Sequence, residues 1–594
     1  MIDQKSIAVL PFENISSDPE NEYFSDGMTE EIINALSKIE GLKVTARTSS
    51  FVYKGKKMDV RHIGNELGVS TVLEGSVRKS QNTVRITAQL IRTDNGFHIW
   101  SENFDRELQN IFQLQDEISL LIADKIRENF GHITIAENLV TPPTINLRSY
   151  ELFLKGRFFF FTWNLFDIAK AIPYFTDSIA ADPAYDQPYF GAGWCYSLLG
   201  SWGHMEKIEA FRLADDYLER GSRLGKPSVD RFFAQAVHQF WGSWDYQNAY
   251  KNLQSALEVN PQHPETLDFM AEINRSMGDF PTALALNEQA MRYNPLSTNV
   301  HYTRATLLYF QSRFEESLEF IAKGLSIDPN FELLHQLQVV CLIHLDSKKN
   351  LEAFVQSEQV SPLLSRVGVA LYGLLHGEEV ADIERLLQEI DQQDSPPLYP
   401  WDIYLMLHSG DKQGAMRRLE TMVQSQMGQV ANFKNDPFLT ELHRDPDFQA
   451  LIQSSFPDTP LATGKPIAQK RREQVLAPTE VSQYIKALAT SMEEQKVYLS
   501  IDLTLRDLAE KIALHPNKLS WLLNEKVGKN FNDYVNGYRL RAFQQKAVDP
   551  SNEHLTLLGL AYESGFTSKT VFNDFFKKST GLTPKAWLKE ARNS

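Results

Sequence analysis

Three hydrophobic rhythms divide the chain. From residue 5 to residue 130, short apolar runs alternate with amphipathic ones. Lys5–Pro11 reads as a buried strand. Phe24, Met28, Ile32 and Leu36 stand at helical spacing and predict a helix from Asn21 to Ile39, with Gly41 after its end. Leu42–Ala46 is a short strand, and Val60–Leu67 a short helix stopped by Gly68. Thr71–Lys79, Val84–Thr93 and His98–Asp105 alternate with period two and are separated by Gln81-Asn82 and Asp94-Asn95-Gly96 turns. Ile111–Phe130 closes the unit as an amphipathic helix. An α/β domain over residues 1–135 is expected.

From about residue 147 the pattern becomes helical and repeats itself. Asn260-Pro261, Asn294-Pro295 and Asp328-Pro329 recur every 34 residues. Ala256, Ala290 and Gly324 stand five positions before each proline, and Ala249, Ala283 and Ser317 twelve before. A weaker unit ends at Asp182-Pro183, with Ala171 and Phe175 in matching places. A 34-residue period with small residues where helices cross is the tetratricopeptide pattern. Each helix pair buries its apolar face only by stacking, which predicts an all-α solenoid with a concave groove over residues 147–456. Residues 340–455 stay helical without a clean period, and Asp436–Phe438 and Arg444–Phe448 look like the segment that closes such an array. Residues 457–480, with Pro457, Pro460, Gly464, Pro466 and Pro478 around Lys470-Arg471-Arg472, read as a linker.

The third rhythm is a duplication near the end, within residues 481–594. Leu508, Ala509, Ala513, Leu519, Leu522, Leu523 and Gly528 return as Leu560, Ala561, Gly565, Phe572, Phe575, Phe576 and Gly581. Each copy predicts a helix, a tight turn at the small residue and a second helix: an all-α double helix-turn-helix, able to lay two helices in successive segments of a DNA major groove. Leu560–Phe566, then Phe572, Phe576-Lys577-Lys578 and Thr580–Pro584, resemble the signature of the AraC-type (arabinose-regulator) DNA-binding domain. The resemblance covers about a fifth of the chain and implies a transcription regulator. It departs from the family's pattern at His515, where a capping Ser is usual, at Trp521 and Asp574, where Arg is common, and at Glu525, in place of a frequent Lys. These lower the positive potential and leave a homodimer as one route to tight binding. At the other end, Ser6–Asn14, Tyr23–Glu31 and Leu73–Arg78 resemble the TolB-like amino-terminal domain, which precedes helical repeats in bacterial signalling proteins.

Charge changes the picture where it is uneven. The whole chain carries −16. Residues 465–594 hold 20 basic and 14 acidic residues, a net +6, which leaves −22 on the rest. Double-stranded DNA should therefore meet the C-terminal domain alone. Within it, Val481 to about Glu494 predicts a packing helix, and Thr504–Asp507 a capping box. Pro516 suits the first position of a recognition helix running through Lys526. The base-edge candidates are His515, Asn517, Lys518 and Trp521 on the first recognition helix and Ser568, Lys569, Thr570 and Asn573 on the second. Asn pairs with adenine and Lys with guanine acceptors. Phe531–Val548 should connect the two, decorated by Tyr538, Arg539, Arg541 and Lys546. The phosphate candidates are Arg539, Arg541, Lys577, Lys578 and Lys585.

No P-loop, HExxH or paired CxxC occurs, so no cofactor, metal or enzymatic reaction is expected. Two cysteines, Cys195 and Cys341, the lack of an 18-residue apolar run and the polar start of the chain suit a cytoplasmic protein without a membrane partner. Asp26, Glu30 and Glu31 read as carboxylates favoured near a helix N-terminus. Ser49, Ser50 and His62 lack an orienting carboxylate, and His204 and His238 read as packing histidines. Dense aromatics at 158–163 and 185–202 read first as repeat core, with an aromatic-lined pocket or peptide groove as the sharper idea. The expectation is a sequence-specific regulator whose repeats and N-terminal domain sense a ligand or a protein or peptide partner held in the groove. A tetratricopeptide scaffold or adaptor with weak DNA affinity is the alternative.

Overall fold

The computed structural model describes residues 2–160, 165–225, 227–345, 347–357, 360–393, 397–457, 461 and 476–592. Its first unit is a mixed sheet with helices on both faces. The strands are β1 (Asp3–Val9), β2 (Glu13–Asn14), β3 (Lys43–Val44), β4 (Val69–Ser80), β5 (Thr83–Arg92) and β6 (His98–Glu107). Their order is β3-β1-β4-β5-β6, with β2 paired to β4. β1 lies parallel to β3 and β4, whereas β4, β5 and β6 form an antiparallel meander. The crossovers carry α1 (Glu22–Ser37), α2 (Arg47–Phe51) and α3 (Val60–Leu67), and α4 (Ile111–Phe130) follows the meander. Ile7 and Val9 join Met28, Ile32, Ile118 and Ile122 in one core, while Ala8 and Leu10 meet Ile63 and Leu67 in another. Alternation along β1 thus feeds two faces. Gly68 ends α3 at φ +62°, the left-handed cap its position suggested. The segments β2 and α2 escape periodicity because two and five residues are too few for a strand or helix pattern to repeat itself.

The repeats follow as helix pairs. They run α5 (Leu147–Phe160), α6 (Leu165–Ala181), α7 (Gln187–Ser201), α8 (Lys207–Leu224), α9 (Val229–Ser243), α10 (Tyr246–Val259), α11 (Pro264–Met277), α12 (Phe280–Tyr293), α13 (Thr298–Tyr309), α14 (Phe314–Ile327) and α15 (Glu332–His344). α10, α12 and α14 start 34 residues apart, as do α11, α13 and α15. Ala249, Ala256, Ala283, Ala290, Ser317 and Gly324 are all fully buried at helix crossings. A Cβ on Gly324 would stand 2.4 Å from a Leu334 methyl. Beyond α15 the pairing loosens through α16 (Lys348–Val355), α17 (Pro362–Leu375), α18 (Ile383–Asp391), α19 (Trp401–His408), α20 (Lys412–Gln424) and α21 (Pro446–Ser455).

Both ends of these helices are occupied by the chain itself. The Asn-Pro turns hold the α/β unit: Ser49 Oγ donates to Asn294 Oδ1 (2.6 Å), Gln262 Nε2 to the Leu42 carbonyl (2.9 Å) and Ala46 N to the Tyr293 carbonyl (2.9 Å). At the opposite ends, residues 425–438 run across successive helices. Lys207 donates to the Ser425 and Gln426 carbonyls, Gln426 to the Ser243 carbonyl, and Arg275 and Ser276 to Asn432 Oδ1. Phe438 then stacks on Tyr404, 4.3 Å between rings, and meets His344 at 4.2 Å. The closing role expected of Asp436–Phe438 takes the form of a strap. The α5 pair shares its core with the first unit: Phe112 meets Tyr150 at 4.7 Å, and Gly27 leaves room for Leu154.

One polar cluster inside the repeats has a pH consequence. Asp268 accepts from Asn287 Nδ2 (3.0 Å), Asn299 Nδ2 (3.2 Å) and Thr303 Oγ1 (2.9 Å). Burial pushes its carboxyl up from 3.8 to about 7, against those donors. The folded state therefore binds the proton more tightly than the unfolded chain, and this stability is lost as pH rises from about 4 to about 7. Asp268→Asn is expected to flatten that slope in thermal melts. A slope unchanged by the substitution would show that Asp268 is ionised at no folding cost.

Candidate nucleic-acid interface

The C-terminal unit contains α22 (Pro478–Glu493), α23 (Leu505–Lys511), α24 (Pro516–Leu522), α25 (Phe531–Val548), α26 (Leu557–Glu563), α27 (Lys569–Thr580) and α28 (Pro584–Ala591). Two cores flank α25. Leu508, Leu519, Leu522, Leu523 and Phe531 build the first, and Leu540, Phe543, Leu560, Phe572 and Phe576 the second. Both motif turns are left-handed, with φ +51° at Ala513 and +93° at Gly565. Thr504 and Asp507 form the capping box, and α25 has the expected limits. The first recognition helix differs: it is α-helical to Leu522 and then widens into a π turn over Leu523–Val527 before Gly528 at φ +74°. The linker residues 458–460 and 462–475, including Lys470-Arg471-Arg472, lie outside the described residues.

The predicted contact residues fall into distinct positions. His515 takes over the capping role, its Nδ1 accepting from Asn517 N (3.2 Å). Ser568 likewise caps α27 by accepting from Val571 N (3.2 Å). Lys569, Thr570, Lys577 and Lys585 are exposed, and Asn573 and Lys518 partly so. Trp521 packs partly on the first core with Lys526 over its ring. Lys578 pairs with Asp533 (3.0 Å), and Arg541 lies over Tyr538, 4.2 Å from its centroid. Arg539 must be corrected. It is buried and donates to the Tyr498 carbonyl (2.8 Å), the Ser500 carbonyl (2.7 Å) and Asn536 Oδ1 (3.2 Å). Burial lowers its pKa to about 10. It ties the two motifs together, with its guanidinium buried and hydrogen-bonded inside the unit. A connecting helix must bury one side against each core, and Arg539 falls on that side.

Asn517 is engaged elsewhere. Its Oδ1 accepts from Arg127 Nη1 (2.6 Å) and Ile135 N (3.2 Å), and its Nδ2 donates to the Ile135 carbonyl (3.0 Å). Arg506 Nε donates to Asp124 (2.5 Å), Leu505 N to Glu128 (3.0 Å) and Asn530 Nδ2 to the Asn129 carbonyl (2.9 Å). Asp124, Arg127 and Glu128 are all buried, which three adjacent charges on α4 achieve only by being paired. Sequence reasoning missed this face. The signal was four charges within Asp124–Glu128, with Asp116 and Glu117 before them, breaking an apolar helix, which reads equally as a solvated side.

The remaining candidates resolve into structure. Asp26 pairs with Lys54 (2.6 Å), and Glu30 lies between Arg47 (3.4 Å) and Arg157. Glu30 is in the third turn and buried where α1 meets α5, so the helix-terminus reading is corrected to an ion network. Ser49 serves docking, and exposed His62 faces Glu66 (3.4 Å). His238 bridges Ser197 Oγ (3.1 Å) and Asp215 (2.9 Å), but the buried Ser197 hydroxyl donates to the Gly193 carbonyl. That order is a packing chain with no exposed nucleophile. The aromatics pack on one another, Phe160 on Trp194 (4.4 Å) and Trp194 on Phe233 (4.7 Å), while Phe161 and Trp163 lie outside the described residues. Among the described residues no group of His, Cys, Asp or Glu could hold a metal, and no helix is long and apolar enough to cross a membrane. Cys195 and Cys341 are free and buried.

Comparisons with known proteins bear on both ends of the chain. Residues 508–590 match a family described as a helix-turn-helix domain. Residues 3–121 match the second domain of HilA/YgeH-like transcriptional regulators, and the TolB-like likeness is not among these matches. The two matches support a transcription regulator. A Rhizobium meliloti (strain 1021) protein named "Putative adenylate cyclase 3" is 56% identical over 122 residues, 20% of this chain. The chain spans about a fifth (21%) of that relative's length. Similar solved structures include a tetratricopeptide repeat protein from Parabacteroides merdae (13% identical, TM-score 0.30, covering 47% of this chain and 99% of that one). Yeast Tom70 is another (11% identical, TM-score 0.31, covering 51% and 67%).

Proposed function

We propose that the chain is a sequence-specific DNA-binding transcription regulator of the cytoplasm. Its TolB-like α/β unit and its solenoid sense a ligand or a protein partner. The observation that carries this is the pair of left-handed turns at Ala513 and Gly565, each leading into a capped helix with polar residues at its start. Asn517, Lys518, Lys569, Thr570 and Asn573 are the base-reading groups, with the capping residues His515 and Ser568 at the helix starts. Trp521 is the apolar contact, and Arg541, Lys577, Lys578 and Lys585 take phosphates. A homodimer would supply the positive potential that Glu525 and Asp574 remove. A partner that binds the ends of the repeat helices must displace residues 425–438 or the α/β unit, which cover those ends. No step of this reading is enzymatic. The test is selection of genomic fragments by the full chain at two salt concentrations. Enrichment of two elements about one DNA turn, ~34 Å, apart, surviving the higher salt, is expected. Motif-free binding that vanishes with salt would leave a scaffold with phosphate attraction only.

A further inference from the structure

The contact between α4 and the first helix-turn-helix covers the start of its recognition helix. Asn517 is the residue there best suited to an adenine edge, and its amide is engaged three times by Arg127 and by both backbone groups of Ile135. A side-chain amide bonded through both its oxygen and its nitrogen cannot at the same time make a bidentate base contact. Around it, Asp124 takes the Arg506 guanidinium and Glu128 takes the Leu505 amide. These are a basic side chain and a helix-start N–H, the two kinds of group that otherwise bind DNA phosphates. Gly131, at φ +107°, allows the approach: a Cβ there would stand 2.7 Å from Asn524 Oδ1. The second recognition helix is not held this way, for Lys569 and Thr570 are exposed at its start.

We infer that α4 and residues 129–135 are an intramolecular lock that imitates DNA towards the first helix-turn-helix, so that only the unlocked fraction of molecules reads both elements of a site. The inference rests on the DNA-binding reading above. In the locked chain one motif must bind alone, and the affinity for a two-segment site is reduced by the fraction of molecules unlocked. A signal that moves the α/β unit off α24 then switches the chain from one reading head to two.

The test compares the full wild-type chain with Arg127→Met and Glu128→Ala, two changes on α4 outside the DNA-binding unit. Random-sequence duplex DNA of roughly 40 base pairs, long enough for two half-sites a turn apart, is the probe. Hydrogen exchange is followed in parallel. In the wild type the Ile135 and Leu505 amides should exchange slowly, and free exchange there would overturn the lock whatever the variants do. In the variants those amides should open and DNA affinity should rise by about tenfold or more. Opened amides with unchanged affinity would overturn the lock and leave the regulator reading standing. Absence of binding by all three chains would sink that reading and the lock with it. Should one variant lose its melting transition, the other decides.

Discussion

Gly565→Ala is expected to unfold the second helix-turn-helix. The backbone there has φ +93°, which costs an L-residue roughly 1–2 kcal/mol. The new Cβ would also stand 2.4 Å from the Tyr498 carbonyl oxygen, 3.1 Å from Leu499 Cα and 3.1 Å from Arg539 Nε. Two of these are backbone and the third is fixed by its own hydrogen bonds, so nothing can swing aside. Overpacking of that kind adds about 1–3 kcal/mol, and the sum is a large share of what a small unit possesses. Hydrogen exchange over α26 and α27 should accelerate by about thirtyfold or more, and DNA selection should lose the second element of its motif. Ala513→Gly is the mirror experiment. Ala513 occupies the same turn at φ +51° and already carries a Cβ, so glycine relieves strain of up to about 1 kcal/mol there. A Gly565→Ala chain with native exchange would refute the turn geometry altogether.

Arg157→Ala is the second change with a large expected effect. Glu30 is buried between Arg47 and Arg157, and burial raises its pKa against both guanidinium groups. Removing Arg157 leaves buried Glu30 with Arg47 alone, 3.4 Å away, so the cost approaches but stays below the about 3–5 kcal/mol of a buried charge stripped of every partner. The loss should appear where α1 meets α5, the joint between sheet unit and solenoid. Adding Glu30→Gln to Arg157→Ala should recover much of it, because the stranded charge goes too. A double variant as unstable as the two single losses added together would show that the pair is not coupled. Glu31 next to it is raised to about 7, chiefly by burial. Its contribution has the same sign as that of Asp268: stability falls as pH climbs from about 4.5 towards 7.

Periodicity made the repeat region and the two helix-turn-helix motifs legible. α10 to α15 fall at the 34-residue spacing of the Asn-Pro turns, and α25 has the limits its apolar residues suggested. Short pieces were not legible, for β2 and α2 lack the length for a period. Arg539 was misplaced for a related reason. A lone arginine on a helix reads as exposed, and only the carbonyls of Tyr498 and Ser500, some forty residues earlier, bring it inside. Asn517 stands at the start of α24, where the sequence put it, yet its present partners, Arg127 in α4 and Ile135 just after it, lie 390 and 382 residues away. Contacts of that kind join surfaces that are each polar and plausible in water. No local pattern distinguishes a charge facing solvent from one facing another domain.

The strap of residues 425–438 sets a competition that any ligand of the helix ends it covers must win. Tethered to the helices it covers, it acts as a competitor at an effective concentration on the order of millimolar. A free peptide with the same contacts would leave the solenoid closed at ordinary cellular amounts. Only a partner that is itself tethered, multivalent or far better matched than the chain's own segment can open it. Shortening the strap would uncover the ends of α8, α9 and α11 to any molecule that fits them.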